Sequence, residues 1–161
     1  MEYRHIFGTE FDFKKALLLI SLMVFPNFLA MFHFQLYGIR FHFFQYLIFL
    51  AAIIYGPAAG MLSGGLGSLY TAIALKNPYI IVGNIILGGF AGYLMKRKVN
   101  AVPAVLLAFA AQVPWLWATD VYLAGMPAAA VNSIVVALLA SNIICAYLAN
   151  ASAGKIKGLF F

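Results

Sequence analysis

Charge is the scarcest property of this sequence. Only 9% of its 161 residues are charged and only four are acidic, against roughly 25% charged in an ordinary soluble domain. Between Lys15 and Lys155 a single acidic residue, Asp120, interrupts the chain, and 65% of all residues are hydrophobic. A soluble domain of this length has too little interior to hide so much apolar surface, so the expected solvent is lipid.

Further absences narrow the chemistry. One cysteine, Cys145, excludes an intrachain disulfide. The three histidines, His5, His33 and His42, have neither ligand spacing nor acidic companions, so no metal centre is expected. No Ser/His/acid set can be assembled with Asp120 as the one acid near the membrane, and the chain is not expected to be an enzyme. Gly64-Gly65-Leu66-Gly67 lacks the Lys-Ser/Thr ending of a phosphate loop and sits in an apolar run, which argues against nucleotide hydrolysis or a bound cofactor. A relay of intramembrane carboxylates is missing. There is no basic face with reading side chains for nucleic acid, and no internal repeat of the kind that builds many secondary transporters. Glu10 and Asp12 precede the first apolar run and no small-x-small site follows it, so a cleaved signal is not expected.

What is present reads as an all-α membrane protein: one domain over residues 1–161, with residues 1–12 as a short polar leader and six transmembrane helices in one bundle. The segments run from about Phe13 to His33, Phe41 to Tyr55, Pro57 to Leu75, Tyr79 to Met95, Ala101 to Tyr122 and Pro127 to Asn150. Fifteen residues in the second span only ~22 Å of a ~30 Å hydrocarbon layer. Uniformly apolar runs favour helices over the alternation of a membrane barrel. With the N-terminus cytoplasmic, the inside carries Arg4, Lys14, Lys15, Lys96, Arg97, Lys98, Lys155 and Lys157, and the outside only Arg40 and Lys76. This positive-inside asymmetry puts both termini in the cytoplasm of a multi-pass cell-membrane protein and accounts for the net charge of +6.

Small residues recur every four positions along three stripes: Ala52, Gly56, Gly60, Gly64, Ser68 and Ala72; Gly88 and Gly92; and Ser133, Ala137, Ser141, Cys145 and Ala149. Such stripes let helices approach closely in lipid, either within the chain or against another subunit. Polar side chains gather toward the predicted outside: His33, Gln35, Tyr37, Arg40, His42 and Gln45; then Lys76, Asn77, Tyr79 and Asn84; then Gln112, Trp115, Trp117, Thr119, Asp120, Asn132 and Ser133. The inner half has little besides Ser141 and Asn142. Helical spacing puts Gln112, Trp115 and Thr119 within ~60° of one face, with Trp117 further round. Pro114 is expected to kink that helix. An aromatic wall with amides and one carboxylate suits a small, flat, polar molecule. Simpler roles stand beside that one: a helix cap for Asp120, an aromatic belt for Trp115 and Trp117, an interhelical hydrogen bond for Asn84, a hydrated loop for Arg40, His33 and His42.

The run Tyr55-Gly56-Pro57-Ala58-Ala59-Gly60-Met61-Leu62-Ser63-Gly64-Gly65-Leu66-Gly67-Ser68-Leu69, with Asn84-Ile85-Ile86-Leu87-Gly88-Gly89-Phe90-Ala91-Gly92-Tyr93-Leu94, resembles the substrate-capture (S) components of energy-coupling factor (ECF) vitamin transporters. The resemblance covers nearly the whole chain. It implies high-affinity capture of a vitamin-like substrate near the outer surface, under the loop between the first two helices. It also implies a transmembrane coupling subunit and two ATPase subunits as partners, with the bundle reorienting in the bilayer. The ligand is placed among Arg40, Asn84, Gln112, Trp115, Trp117, Asp120 and Asn132. Such components often carry Ala-x-x-x-Ala on the first helix; here Ala16 is followed by Ile20, so the dock is placed on Gly56, Gly60 and Gly64 or on Ser133, Ala137 and Ser141. The alternatives are a ligand-free membrane scaffold, resembling those of cell-wall elongation, and an autonomous facilitator, which the apolar inner half disfavours.

Overall fold

The computed structural model describes residues 5–6, 9–10, 12–32, 34–36 and 39–161. The described chain is helical apart from two short antiparallel hairpins. One pairs β1 (His5–Ile6) with β2 (Thr9–Glu10); the other pairs β3 (Phe34–Leu36) with β4 (Ile39–Phe41), placing Gln35 opposite Arg40. The helices are α1 (Phe13–Met31), α2 (Gln45–Tyr55), α3 (Pro57–Gly67), α4 (Leu69–Ala74), α5 (Tyr79–Lys96), α6 (Ala101–Ala118) and α7 (Ala128–Phe160), with a π-helical turn, Thr119–Leu123, continuing α6. Among the described residues, four stretches are long and apolar enough to cross a membrane: Phe13–Met31, Tyr79–Lys96, Ala101–Leu123 and Ala128–Phe160. Their outer faces stay apolar; on α1 alone Leu17, Ile20, Val24, Phe25, Phe28 and Met31 are exposed. A face of that kind is stable against lipid and a liability in water.

Local chemistry sets several boundaries. Asp12 caps α1, its carboxylate accepting the backbone N–H groups of Lys14 (3.0 Å) and Lys15 (3.4 Å). Gly56 separates α2 from α3 with φ at 91°, a conformation that costs glycine nothing, and Pro57 then occupies the first position of α3.

Three predicted segments differ from what is observed. The second begins at Gln45 rather than Phe41, and its 11 residues span only ~16 Å. The third breaks at Ser68, whose hydroxyl donates to the Gly64 carbonyl at 2.7 Å. Asn27 of α1 spans this break: its amide donates to the Leu66 carbonyl (2.9 Å) and accepts the Tyr70 N–H (2.8 Å). The sixth continues past Asn150 to Phe160. Its extension is held by the Tyr46–Ser152 hydroxyl pair at 2.9 Å and by Phe161 packed on Tyr55.

Helix α2 is the hub of the bundle and packs on α1, α3, α5 and α7; Ile48, Phe49 and Ala51 are fully buried. The tightest seam joins α3 to α5. A Cβ at Gly60 would overlap the Gly88 carbonyl, one at Gly64 would overlap the Asn84 carbonyl, and one at Gly92 would lie 2.8 Å from Pro57 Cα. Glycine is required there because backbone meets backbone. The predicted docking stripe Gly60–Gly64 is therefore taken up inside the chain, against α5, and Gly56 serves as the turn before α3.

The lower end of the bundle is defined by Lys15, Tyr55 and Phe161. The Tyr55 hydroxyl donates to the Lys15 carbonyl at 2.6 Å, and the Lys15 ammonium sits 4.7 Å from the centre of the Phe161 ring. The Gly92–Pro57 contact brings the α5–α6 turn, with Lys96, Arg97 and Lys98, to the same end.

Candidate functional site

The opposite end of the bundle holds a cavity of ≈ 850 Å³. It is walled by the starts of α2, α5 and α7, the end of α4, the last turns of α6 and the π-helical turn. That volume is in the range of small-molecule sites. Its polar lining comprises His42, Gln45, Thr71, Lys76, Asn77, Tyr79, Asn84, Gln112, Trp115, Thr119, Asp120 and Ser133. Leucine, isoleucine, alanine and methionine side chains complete it.

The floor is made by an unusual entry of the chain. Residues His42–Phe44 run into the bundle beside α7 before α2 begins. The His42 N–H donates to Ser141 Oγ at 3.0 Å, and the Cys145 thiol points at the His42 carbonyl at 3.6 Å. Irregular backbone inside a bundle needs protein groups to satisfy its N–H and C=O groups, and α7 supplies them here. Of the stripe Ser133, Ala137 and Ser141, the exposed Ser133 and the buried Ala137 line the cavity, and the buried Ser141 holds the entering chain.

Two turns are tied together at the rim. Asn77 Nδ2 donates to Asp120 Oδ1 at 2.6 Å, while Asn77 Oδ1 accepts the Tyr79 N–H at 3.1 Å. The Asp120 carbonyl accepts the Met126 N–H at 2.9 Å. This links the α4–α5 turn, where Lys76 has φ at 52°, to the turn before α7. Asp120 is only 6% exposed, so it is not a solvated loop residue, and Pro127 rather than Asp120 stands at the N-cap of α7, with no side chain capping it. Pro114 lies inside α6, which continues to Ala118 and passes into the π-helical Thr119–Leu123. A π-turn adds a residue to the helical turn, and such bulges often mark functional sites. Here it accompanies the inward placement of Asp120.

Of the predicted ligand set, Asn84, Gln112, Trp115 and Asp120 line the cavity together. Trp117 and Asn132 do not: Trp117 Nε1 donates to Asn132 Oδ1 at 3.2 Å, and the indole stands edge-on to Tyr122. They bond to each other instead of facing the cavity. The Arg40 side chain and His33 lie outside the described residues. Asn84 donates to the Ile80 carbonyl of its own helix at 3.1 Å, not across helices. Gln45 was legible as a polar residue of the outer region but not as a site residue, because only the tertiary entry of α2 brings it to the cavity.

The amides are incompletely paired. Gln45 Oε1 and Gln112 Oε1 have no hydrogen-bond partner among the described residues; neither do both polar atoms of Asn142, further along α7 and not in the cavity lining. Leaving such a group buried and unpaired costs about 1–3 kcal/mol. A second cavity, ≈ 450 Å³, opens at the lower end beside Lys96, Lys98, Asn100 and Asn150. No protein-family model, curated protein or solved structure matches this chain.

Proposed function

We propose that this chain is the membrane-embedded capture subunit of an ATP-driven uptake system of the ECF type. In this reading it binds a vitamin-like small molecule and delivers it inward with a transmembrane coupling subunit and two ATPase subunits. The observation that carries the proposal is the ≈ 850 Å³ cavity at one end of the bundle, lined by buried polar groups that lack partners.

Topology supports the same reading. Lys14, Lys15, Lys96, Arg97, Lys98, Lys155 and Lys157 gather toward the lower end, and Lys76 lies at the cavity rim. By the positive-inside tendency the lower end is cytoplasmic and the cavity faces outward. The chain is then a multi-pass protein of the cell membrane with six membrane segments and both termini cytoplasmic. Helix α2 crosses only part of the layer because its first turn starts at the cavity floor. The mostly apolar outer face lowers the cost of reorienting the bundle in lipid.

Native mass spectrometry of the protein, purified gently from cells grown in rich medium, tests the proposal. A discrete adduct of a few hundred daltons is expected, exchangeable on incubation with excess of the same compound. A bare mass that persists after incubation with a panel of vitamins and their precursors overturns it.

A further inference from the structure

Gln45 and Gln112 come from different helices, line the same cavity, and are only 1% and 4% exposed. Each has a side-chain oxygen without a partner among the described residues. Three other buried or half-buried polar side chains around the cavity are engaged: Asn77 with Asp120, Asn84 with the Ile80 carbonyl, Thr119 with the Trp115 carbonyl. Buried amides are almost always paired in native proteins, so two open ones in one cavity mark places where a bound molecule completes the bonding. A carboxamide presents a donor and an acceptor side by side. Its complement is an edge with the reverse order: the lactam, primary amide or amidine edge of a nitrogen heterocycle. Both side chains are uncharged, which matches a neutral edge.

The rest of the wall selects a flat partner. Trp115 has its ring N–H committed to the Tyr79 carbonyl at 3.1 Å, leaving its apolar ring for contact. Gly83 keeps that region open: a Cβ there would lie 3.1 Å from Gln112 Nε2 and 3.5 Å from Trp115 Cδ1. We infer that the captured molecule is a flat nitrogen heterocycle with a neutral lactam or amidine edge, and that Gln45 and Gln112 read that edge. The inference rests on the capture reading above and adds the chemistry of its ligand.

Three probes of similar size test it on the full-length protein in lipid nanodiscs, with binding followed by tryptophan fluorescence: quinazolinone, which carries a lactam edge; its N-methyl derivative, in which the donor is blocked; and naphthalene, which has no edge. The wild-type protein is expected to bind quinazolinone at least about tenfold more tightly than the other two, a difference of ~1.4 kcal/mol. Gln45→Met and Gln112→Met are each expected to erase that preference while leaving naphthalene binding unchanged. A variant that loses naphthalene as well is replaced by Gln45→Asn or Gln112→Asn, which keeps the amide but withdraws it. Equal binding of all three probes, unaffected by the substitutions, means that the amides hold only water. That result overturns this inference and leaves the capture reading standing. Failure of every probe to bind the wild-type protein also overturns this inference, while the capture reading stands or falls on the mass spectrometry above.

Discussion

The backbone N–H of His42 donates to the side-chain oxygen of Ser141, 3.0 Å away and 99 residues later in the chain. The Ser141 hydroxyl itself donates to the Ala137 carbonyl at 2.8 Å, so one buried hydroxyl supports both its helix and the segment that enters beside it. Ser141→Ala is expected to leave the His42 N–H without this acceptor and to lower stability by about 1–3 kcal/mol. Thermal unfolding of the two proteins in the same detergent measures it. An unchanged midpoint means that the bond contributes nothing.

Two glycines make a matched pair for the packing argument. A methyl at Gly88 would overlap the Gly60 carbonyl and press on Ile48 at 2.9 Å, whereas a methyl at Gly154 would meet nothing within 4 Å. Gly88→Ala is expected to destabilise by about 1–3 kcal/mol or more, because backbone has to move. Gly154→Ala, on a helix interior, is expected to be neutral or stabilising by up to ~1 kcal/mol. Equal effects in the two melts contradict a tight α3–α5 seam.

Under the proposed capture function, ligand binding discriminates among the aromatic and acidic residues. Asp120→Ala removes a cavity-lining carboxylate and the partner of Asn77, and Trp115→Ala removes the flat wall. Each is expected to weaken binding by about tenfold or more, ~1.4 kcal/mol or above. Trp117→Phe is expected to change affinity less than about twofold, since Trp117 faces Asn132 and Tyr122. Titration calorimetry on the three variants checks the order. A Trp117 effect as large as that of Trp115 refutes the placement of the site.

Much of the helix framework is visible in the sequence, since Gly56-Pro57, Pro78 and Asn100 punctuate the apolar runs where α3, α5 and α6 begin. The small-residue stripes are visible too, but a period of four says only that a face is smooth. It does not say that Gly60 meets Gly88 or that Ser141 receives the chain before α2. Helical spacing turns Trp117 away from Gln112, Trp115 and Thr119, yet its aromatic ring puts it in the predicted ligand set; the cavity lining leaves it out. The break at Ser68 is illegible locally, because Asn27, some forty residues earlier, supplies the groups that make it affordable. Gln45 is hidden for the same reason: its place in the cavity depends on a hydrogen bond across most of the chain.

Acid should act first at the start of α1. Slight desolvation pushes the Asp12 carboxyl up, but the N–H groups of Lys15 and Lys14 and the Lys15 ammonium at 3.4 Å together hold it below its ordinary value. A depressed carboxyl contributes its stability above the unfolded-state pKa of about 4 and loses it as pH falls through the folded value. Amide exchange at Lys14, Lys15 and Ala16 is therefore expected to lose protection below about pH 4 relative to the middle of α1. Asp12→Asn should keep the cap and flatten the pH dependence. A wild-type profile as flat as that of the variant removes the carboxylate from the cap.

Asn27 offers the sharpest separation of polarity from packing. Its amide serves the Leu66 carbonyl and the Tyr70 N–H across the break between α3 and α4, in a region flanked by Pro26 packed on Gly67. Asn27→Leu keeps comparable volume and removes these bonds together with a weaker one to the Val24 carbonyl at 3.3 Å; Asn27→Asp keeps the acceptor for Tyr70 and loses the donor for Leu66. Each lost partner should cost about 1–3 kcal/mol, so stability is expected to fall in the order wild type, Asp, Leu. The order matters more than the size. If Leu were as stable as wild type, the α3–α4 break would have to be held by the Ser68 hydroxyl alone, and the link from α1 to the cavity wall through Tyr70 and the end of α4 would carry no stability.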